Sequence, residues 1–349
     1  MKIFSVALGK HDHNTYDGVW HNQLERHTRI KHNINNSEKF YQEYWNPKQH
    51  EIFAFTTTIG GVKQISSLKS LDSFIDWTPN FLWDYKRQDN LYYIDHHQSH
   101  AAYARITSGF KECDILAIDS RGYKFNTVFF DKSGKIINLN LHVGTIYDWF
   151  TKKLGFGSYG ASKVMGLSGY GKYNAKIHIL LDEIIVAFRN GNEQPWEGPS
   201  YSNDTWEKLD HACKDVKDED IAFTLQVAIE ELIFNVLPSY ITSDNICVSG
   251  GVGYNGYINE KLTKYYKNVF VPPAIGDEGQ SIGTYIHADY TLNKNLHIPK
   301  VYAGRDYDYI GKEKVNIKDV AQCIADGKIV GWFQGKSESG NRALGNRSI

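Results

Sequence analysis

An α/β protein of two lobes is what this sequence predicts, and three observations carry the prediction. Short β-rich runs alternate with stretches of helical periodicity. An antiparallel meander opening with an acid lies mid-chain, and a fainter version of it opens the sequence. With 349 residues, 41% of them hydrophobic, the chain can bury one large core or two lobes.

Strands are expected at 2–9 (KIFSVALG), 91–95 (LYYID), 114–119 (DILAID), 245–250 (NICVSG), 268–273 (NVFVPP) and 328–335 (KIVGWFQG), each short and bounded by turn formers. The best-patterned helix is DIAFTLQVAIEELIFNVLPSY, in which Ile221, Leu225, Ile229, Leu232, Ile233 and Val236 recur at helical spacing and Pro238 marks the end. Helices between strands imply layered α/β packing. The mid-chain meander runs 114–119, a polar turn at SRG, 126–130, a turn at DKSG, then 135–141, with Asp119 at its first corner. Its fainter counterpart is SVALGKHD followed by a YDG turn. Two acid-bearing meanders, each followed by helices and strands, are what a duplicated nucleotide-clamping fold would show. Acidic tips can face phosphates only through a cation or as bases. Residues 190–220 are polar and rich in turn formers, so they read as an insertion or mobile loop.

Composition narrows the function classes. The formal net charge of −1 gives no basic excess for a phosphate-backbone partner, so nucleic acid is disfavoured. Cys113, Cys213, Cys247 and Cys323 stand far apart in no CxxC pair, which argues against a disulfide framework and a cysteine zinc site. The start reads as a first strand rather than a secretory signal, and nowhere do about 18 apolar residues run together. A cytoplasmic protein without a membrane span is expected.

YIDHHQSHAAYA, residues 93–104, places three histidines within five positions. If a helix begins after Asp95, His96 and His100 share one face four residues apart, the spacing by which a single helix offers two metal ligands. Hydrogen-bonded histidine rings explain the same pattern. In CVSGGVGYNGYINEKL (247–262), a strand, paired glycines and a helix start let backbone amides approach an anion or a flat nucleoside, or simply turn the chain. VPPAIGDEGQSIGTY (271–285) sets Asp277 and Glu278 at a glycine-flanked turn opening a helix, as caps or as a hard oxygen ligand. KVMGLSGYGKY offers Lys163 beside flexible turns. HDHN and ERHTRIKH cluster His11, Asp12, Arg26, Arg29, Lys31 and His32, as a charged patch or an acid/base and anion-binding group.

GxxxHD, ERxTRIKH, HHxxHAA, KVMGLxxYG, SGGVxxNxxxN, PxxGDxGQSIG and the closing GWFQGKSESGNRALGNRSI occur here in one order. In these motifs the chain resembles the NodU/CmcH/TobZ-type O-carbamoyltransferases along essentially its whole length. The resemblance implies a Kae1-like domain of the actin/hsp70/sugar-kinase (ASKHA) superfamily, a duplicated RNase H-like fold. Lobe I is expected over 1–113, lobe II over 114–298, and the start of a YrdC-like region over 299–349. It implies an ATP-dependent transfer of a carbamoyl group from carbamoyl phosphate, through carbamoyl adenylate, to a hydroxyl of a small-molecule, sugar or nucleoside-type acceptor. A divalent metal, iron foremost with magnesium or manganese as alternatives, is implied between His96, His100 and Asp277, with His97 in support. Asp119, Gly122, Lys163, Gly250, Gly251 and Asn255 are implied on the nucleotide side, and His11, Asp12 and Arg26 at the reacting groups. Glu338, Arg342, Asn346 and Arg347 carry the C-terminal motif. The turn after Asp119 reads DSRG where the family has DGxG, and GNRALG replaces GPRALG. The resemblance and the C-terminal strand edge lean towards a homodimer or a separate YrdC-like partner chain. A tRNA carbamoyl- or threonylcarbamoyl-transfer subunit and a non-catalytic ATP- and metal-binding partner of a split enzyme stand as alternatives.

Overall fold

The computed structural model describes residues 1–8, 14–24, 49–57, 91–120, 126–189, 204–304 and 315–349. The chain forms two compact units, one from 1–103 with 277–349 and the other from 104–276. These boundaries fall elsewhere than at 113 and 298, because the chain beyond Asp277 returns to pack on the first sheet.

That sheet contains β1 (Ile3–Leu8), β2 (Asn14–Tyr16), β3 (His21–Gln23), β4 (Ile52–Thr57) and β5 (Leu91–Tyr93) in the order β3-β2-β1-β4-β5. The second contains β6 (Asp114–Ile118), β7 (Thr127–Phe130), β8 (Ile136–Asn138), β9 (Asn245–Ser249) and β10 (Asn268–Phe270) in the order β10-β9-β6-β7-β8. Read from the meander outward, the two orders are the same. In each, a three-stranded antiparallel meander receives two further strands in parallel on the free side of its first strand, with Ile3 opposite Ile52 in one and Ala117 opposite Ser249 in the other. This is the duplicated RNase H-like arrangement that the sequence predicts.

The helices are α1 (His96–Ser108), α2 (Val143–Lys153), α3 (Ala161–Ser168), α4 (Ala175–Arg189), α5 (Asp204–Cys213), α6 (Asp218–Val236), α7 (Gly256–Leu262), α8 (Gln280–Asn293) and α9 (Ile317–Ala325). In the first unit α8 lies on β1, β2 and β4, with Ile3, Ala54, Ile94 and Ala288 buried together. The buried Ser5 hydroxyl lies 2.9 Å from Tyr16 O and 2.7 Å from Ser281 O, fastening the start of α8 to the sheet. In the second unit α6 buries Ile221, Leu225, Ile229, Leu232 and Ile233 against Leu116, Phe129, Ile146, Phe150 and Leu181. Burying such side chains stabilises the unit by about 1.5–3 kcal/mol each. Asp218, Glu219 and Asp220 in its first turn complement the helix dipole. By length and composition the 218–240 stretch could cross a membrane, but 61% of its most apolar window is buried inside the protein.

Several strands are shorter than expected, each for a local reason. Asp95 caps α1, so β5 stops at Tyr93. Pro272 and Pro273 lack ladder donors, so β10 stops at Phe270. Asn140 and His142 adopt positive φ, ending β8. The 328–335 strand reduces to β11 (Trp332–Phe333), paired antiparallel with β12 (Arg347–Ser348). The reading of 190–220 as a loop is corrected over its second half: α5 forms because Leu209 and Cys213, one turn apart, enter the core.

Candidate metal centre and nucleotide loops

Asp95 sets the first half of the candidate metal centre. Its Oδ1 accepts from His97 N (2.9 Å) and Gln98 N (3.3 Å), an N-cap that starts α1 at His96. His96 and His100 then project from successive turns, 1% and 2% exposed, with ring centroids 4.7 Å apart at 89°. His97, also buried, packs edge-on against His96 at 5.4 Å.

Asp277 supplies the other half from a 3-10 turn, Asp277–Gly279, that leads into α8. The buried Asn14 clamps this turn: its Nδ2 donates to Asp277 O (2.9 Å) and its Oδ1 accepts from Ser281 N (3.0 Å). Asp277 Oδ1 consequently lies 3.5 Å from His96 Nε2 and 3.4 Å from His100 Nε2. That oxygen is sealed from solvent and has no hydrogen-bond partner among the described residues. The donor atoms of the three residues lie within 4.8 Å of one another.

An acceptor buried without a hydrogen bond is costly, and a cation shared with two imidazoles removes that cost. Two imidazole nitrogens and one carboxylate oxygen suit a divalent first-row transition metal. The residues present therefore fit a metal. Gln280 Nε2 donates to His96 O at 3.2 Å and stands 3.3 Å from His96 Nδ1 and 3.5 Å from its Nε2, so its amide lies against the ring.

In the second unit Asp119, Gly250 and Gly251, three of the residues expected on the nucleotide side, lie together at the ends of β6 and β9. Asp119 is buried, its N–H donating to Asn126 O, while its carboxylate accepts from Ser120 N (2.6 Å) and at 3.5 Å from Gly251 N. Gly250 has φ +91°, and a Cβ there would fall 2.3 Å from Ile118 O, so glycine alone brings the loop beside Asp119. Asn255 caps α7 by accepting from Tyr257 N and Ile258 N, and it exchanges hydrogen bonds with Gln226. Lys163 stands exposed on α3 and makes no hydrogen bond or ion pair with this group among the described residues. His11, Asp12, Arg26 and Gly122 lie outside the described residues.

The C-terminal motif folds on itself. Glu338, fully buried, accepts from Leu344 N and Asn346 N through Oε1 and pairs with Arg347 Nε at 3.4 Å. Arg347 also donates to Gly340 O and Arg342 O, and Asn346 Nδ2 donates to Lys336 O. Arg342 is exposed. Glu338, Asn346 and Arg347 thus hold the loop's shape.

Sequence reasoning missed Asn14, Gln280 and Gln226. Asn14 was legible only as the last letter of HDHN, and Gln280 as part of GDEGQ; neither carries a spacing that announces a side chain clamping a distant turn.

The family model described as Carbamoyltransferase N-terminus matches residues 14–286, and the one described as Carbamoyltransferase C-terminus matches residues 321–349. The chain belongs to the carbamoyltransferase family. Within that family it is 29% identical over 293 residues to the nodulation protein NolNO of Sinorhizobium fredii, covering 74% of this chain and 42% of that protein. It is 36% identical over 113 residues to the 3'-hydroxymethylcephem-O-carbamoyltransferase of Streptomyces clavuligerus, covering 29% of this chain and 22% of that enzyme. The solved component A of the (R)-2-hydroxyglutaryl-CoA dehydratase of Acidaminococcus fermentans aligns with a TM-score of 0.49 at 9% identity, over 81% of this chain and 96% of that one. The chain spans about half the length of the curated carbamoyltransferase-family relatives it first matches.

Proposed function

We propose that this chain performs the transfer step of an O-carbamoyltransferase: it takes the carbamoyl group of carbamoyl adenylate, made from ATP and carbamoyl phosphate, and delivers it to a hydroxyl of a small-molecule, sugar or nucleoside-type acceptor. The observation that carries the reading is the convergence of His96, His100 and Asp277 on one buried point, with Asp277 Oδ1 lacking a hydrogen-bond donor among the described residues. The family match and the likeness to a named O-carbamoyltransferase support the reaction class.

In this reading His96, His100 and Asp277 hold a divalent cation, iron(II) foremost. Bound there, it supplies positive charge for the phosphate and carbonyl oxygens of a mixed anhydride. The Gly250–Gly251 loop, bare of side chains, leaves room for the nucleotide beside Asp119, and Asn255 keeps α7 aligned behind that loop. Asp119 holds the Gly251 amide in place. The acceptor hydroxyl loses its proton to a base, its oxygen bonds the carbamoyl carbon, and the bond to AMP breaks. His11 of the HD pair, flanked by Asp12, is the base that the family resemblance implies, and Arg26 or Lys163 holds the phosphate in this reading.

Elemental analysis of anaerobically purified protein tests the centre. Near-stoichiometric metal in the wild type, lost in His96→Ala, His100→Ala and Asp277→Ala, is expected, together with transfer from supplied carbamoyl adenylate by the loaded wild type alone. Folded wild-type protein that takes up no metal after reconstitution with iron(II) would remove the assignment.

A further inference from the structure

Two of the four cysteines meet inside the second unit. Cys113 immediately precedes β6, Cys247 lies within the neighbouring parallel strand β9, and their sulfurs are 3.5 Å apart. Both side chains are buried, yet Cys113 closes the loop of exposed residues Gly109, Lys111 and Glu112. Arg105, in the last turn of α1, lies across that loop: its guanidinium donates to Phe110 O and Lys111 O and reaches Cys113 Sγ at 3.6 Å. We propose that Cys113 and Cys247 form a redox-active thiol pair, Cys113 reacting first with a peroxide and Cys247 resolving it to a disulfide that bridges the two neighbouring strands.

The electrostatics favour that division of labour. The Cys247 hydrogen bond and the Arg105 guanidinium pull the Cys113 thiol below its ordinary range, against its burial. Cys247, donating to Cys113 and buried, is pushed well above the ordinary range and stays protonated. In the reaction the Cys113 thiolate attacks one peroxide oxygen, the O–O bond breaks, and hydroxide leaves as Cys113 becomes a sulfenic acid. Oxidation of Cys113 removes the thiolate that held the Cys247 proton; that proton passes to the departing hydroxide as the Cys247 sulfur attacks the sulfenic sulfur, and the S–S bond forms. Two thiols are oxidised and one hydrogen peroxide is reduced to two waters. The sulfurs, in contact at 3.5 Å, must close to about 2.05 Å to bond. The bond would tie the start of β6 to the middle of β9, the two strands whose far ends lead to Asp119 and Gly250.

The test is peroxide treatment of the whole chain, denaturing alkylation, proteolysis without reductant and mass spectrometry. A peptide pair joined through Cys113 and Cys247, two hydrogens lighter than the free peptides and released by dithiothreitol, is expected in the wild type. Cys247→Ala should leave a dimedone-reactive sulfenic acid on Cys113, and Cys113→Ser should leave Cys247 fully alkylatable. Complete alkylation of both thiols in peroxide-treated wild type overturns the proposal, as does sulfinic acid on Cys113 with no joined peptide. The wild-type measurement decides the matter even where a variant's circular dichroism shows that it has not folded.

Discussion

Gly283→Ala tests the scaffold of the metal centre without touching a ligand. Gly283 lies on α8, and a Cβ built there would stand 2.0 Å from Ser99 O, on the turn of α1 between His96 and His100. Real Cβ atoms essentially never come closer than 3.0 Å, so α1 and α8 must separate by at least the difference. The Ser99 hydroxyl, which donates to Gln280 O at 2.8 Å, loses its partner in the process. Overpacking costs about 1–3 kcal/mol and the hydrogen bond about 1 more, giving a loss of roughly 2–4 kcal/mol. The separation also draws both imidazoles from Asp277 Oδ1, now 3.4 and 3.5 Å away. A cation that needs about 2.0–2.2 Å to each ligand then fits poorly, and its affinity should fall at least about tenfold. Urea unfolding of the metal-free protein reads the first effect, and competition against a chelator reads the second. Wild-type stability and wild-type metal affinity together in Gly283→Ala would refute the idea that close α1–α8 contact builds the site.

Gly250→Ala combines a backbone conformation reserved for glycine with a Cβ 2.3 Å from Ile118 O, so about 2 kcal/mol of stability and nucleotide binding should be lost together, measured by unfolding and by calorimetric titration with ATP. Asp114→Ala strips the acceptor from Thr242 N, Thr242 Oγ1, Ser243 N and Tyr266 OH and should cost about 3 kcal/mol or more in urea unfolding. Burial lowers His142 to about 4, so the folded protein keeps this ring neutral while the unfolded chain takes up a proton near pH 6.5. Stability should therefore be insensitive to His142 above that pH and fall as pH drops from about 6.5 towards 4; His142→Asn, which tolerates the φ of 51°, should flatten part of the slope.

Periodicity made the layers legible. The stripe from Ile221 to Ile233 faces the core as its spacing requires, and the turn DKSG joins β7 to β8 in the second meander. The i,i+4 pair His96 and His100 was legible too, since Asp95 is a natural cap for the helix it begins. Asp277 was harder: nothing in local sequence says which of its possible partners a turn acid will meet, and the resemblance, rather than spacing, joined it to the histidines. Asn14 and Gln280 were invisible because their effect depends on tertiary approach. Strand ends were misjudged where single residues decide them, as at Asn140 and His142, whose positive φ no apolar pattern records.

The first unit is assembled from two separate stretches of chain, and the ligands of one centre lie on both. Ser99 and Gln280, which hydrogen-bond beside that centre, are 181 positions apart in sequence. During synthesis, then, α1 emerges with its two imidazoles long before the carboxylate that completes the set, and all of 104–276 must be made in between. The entropy of closing so long a loop is met late, which makes this contact a slow, final event in folding. Metal uptake would for that reason report that the chain has finished folding, and a nascent chain stopped before Asp277 would offer a metal two histidines and no anion.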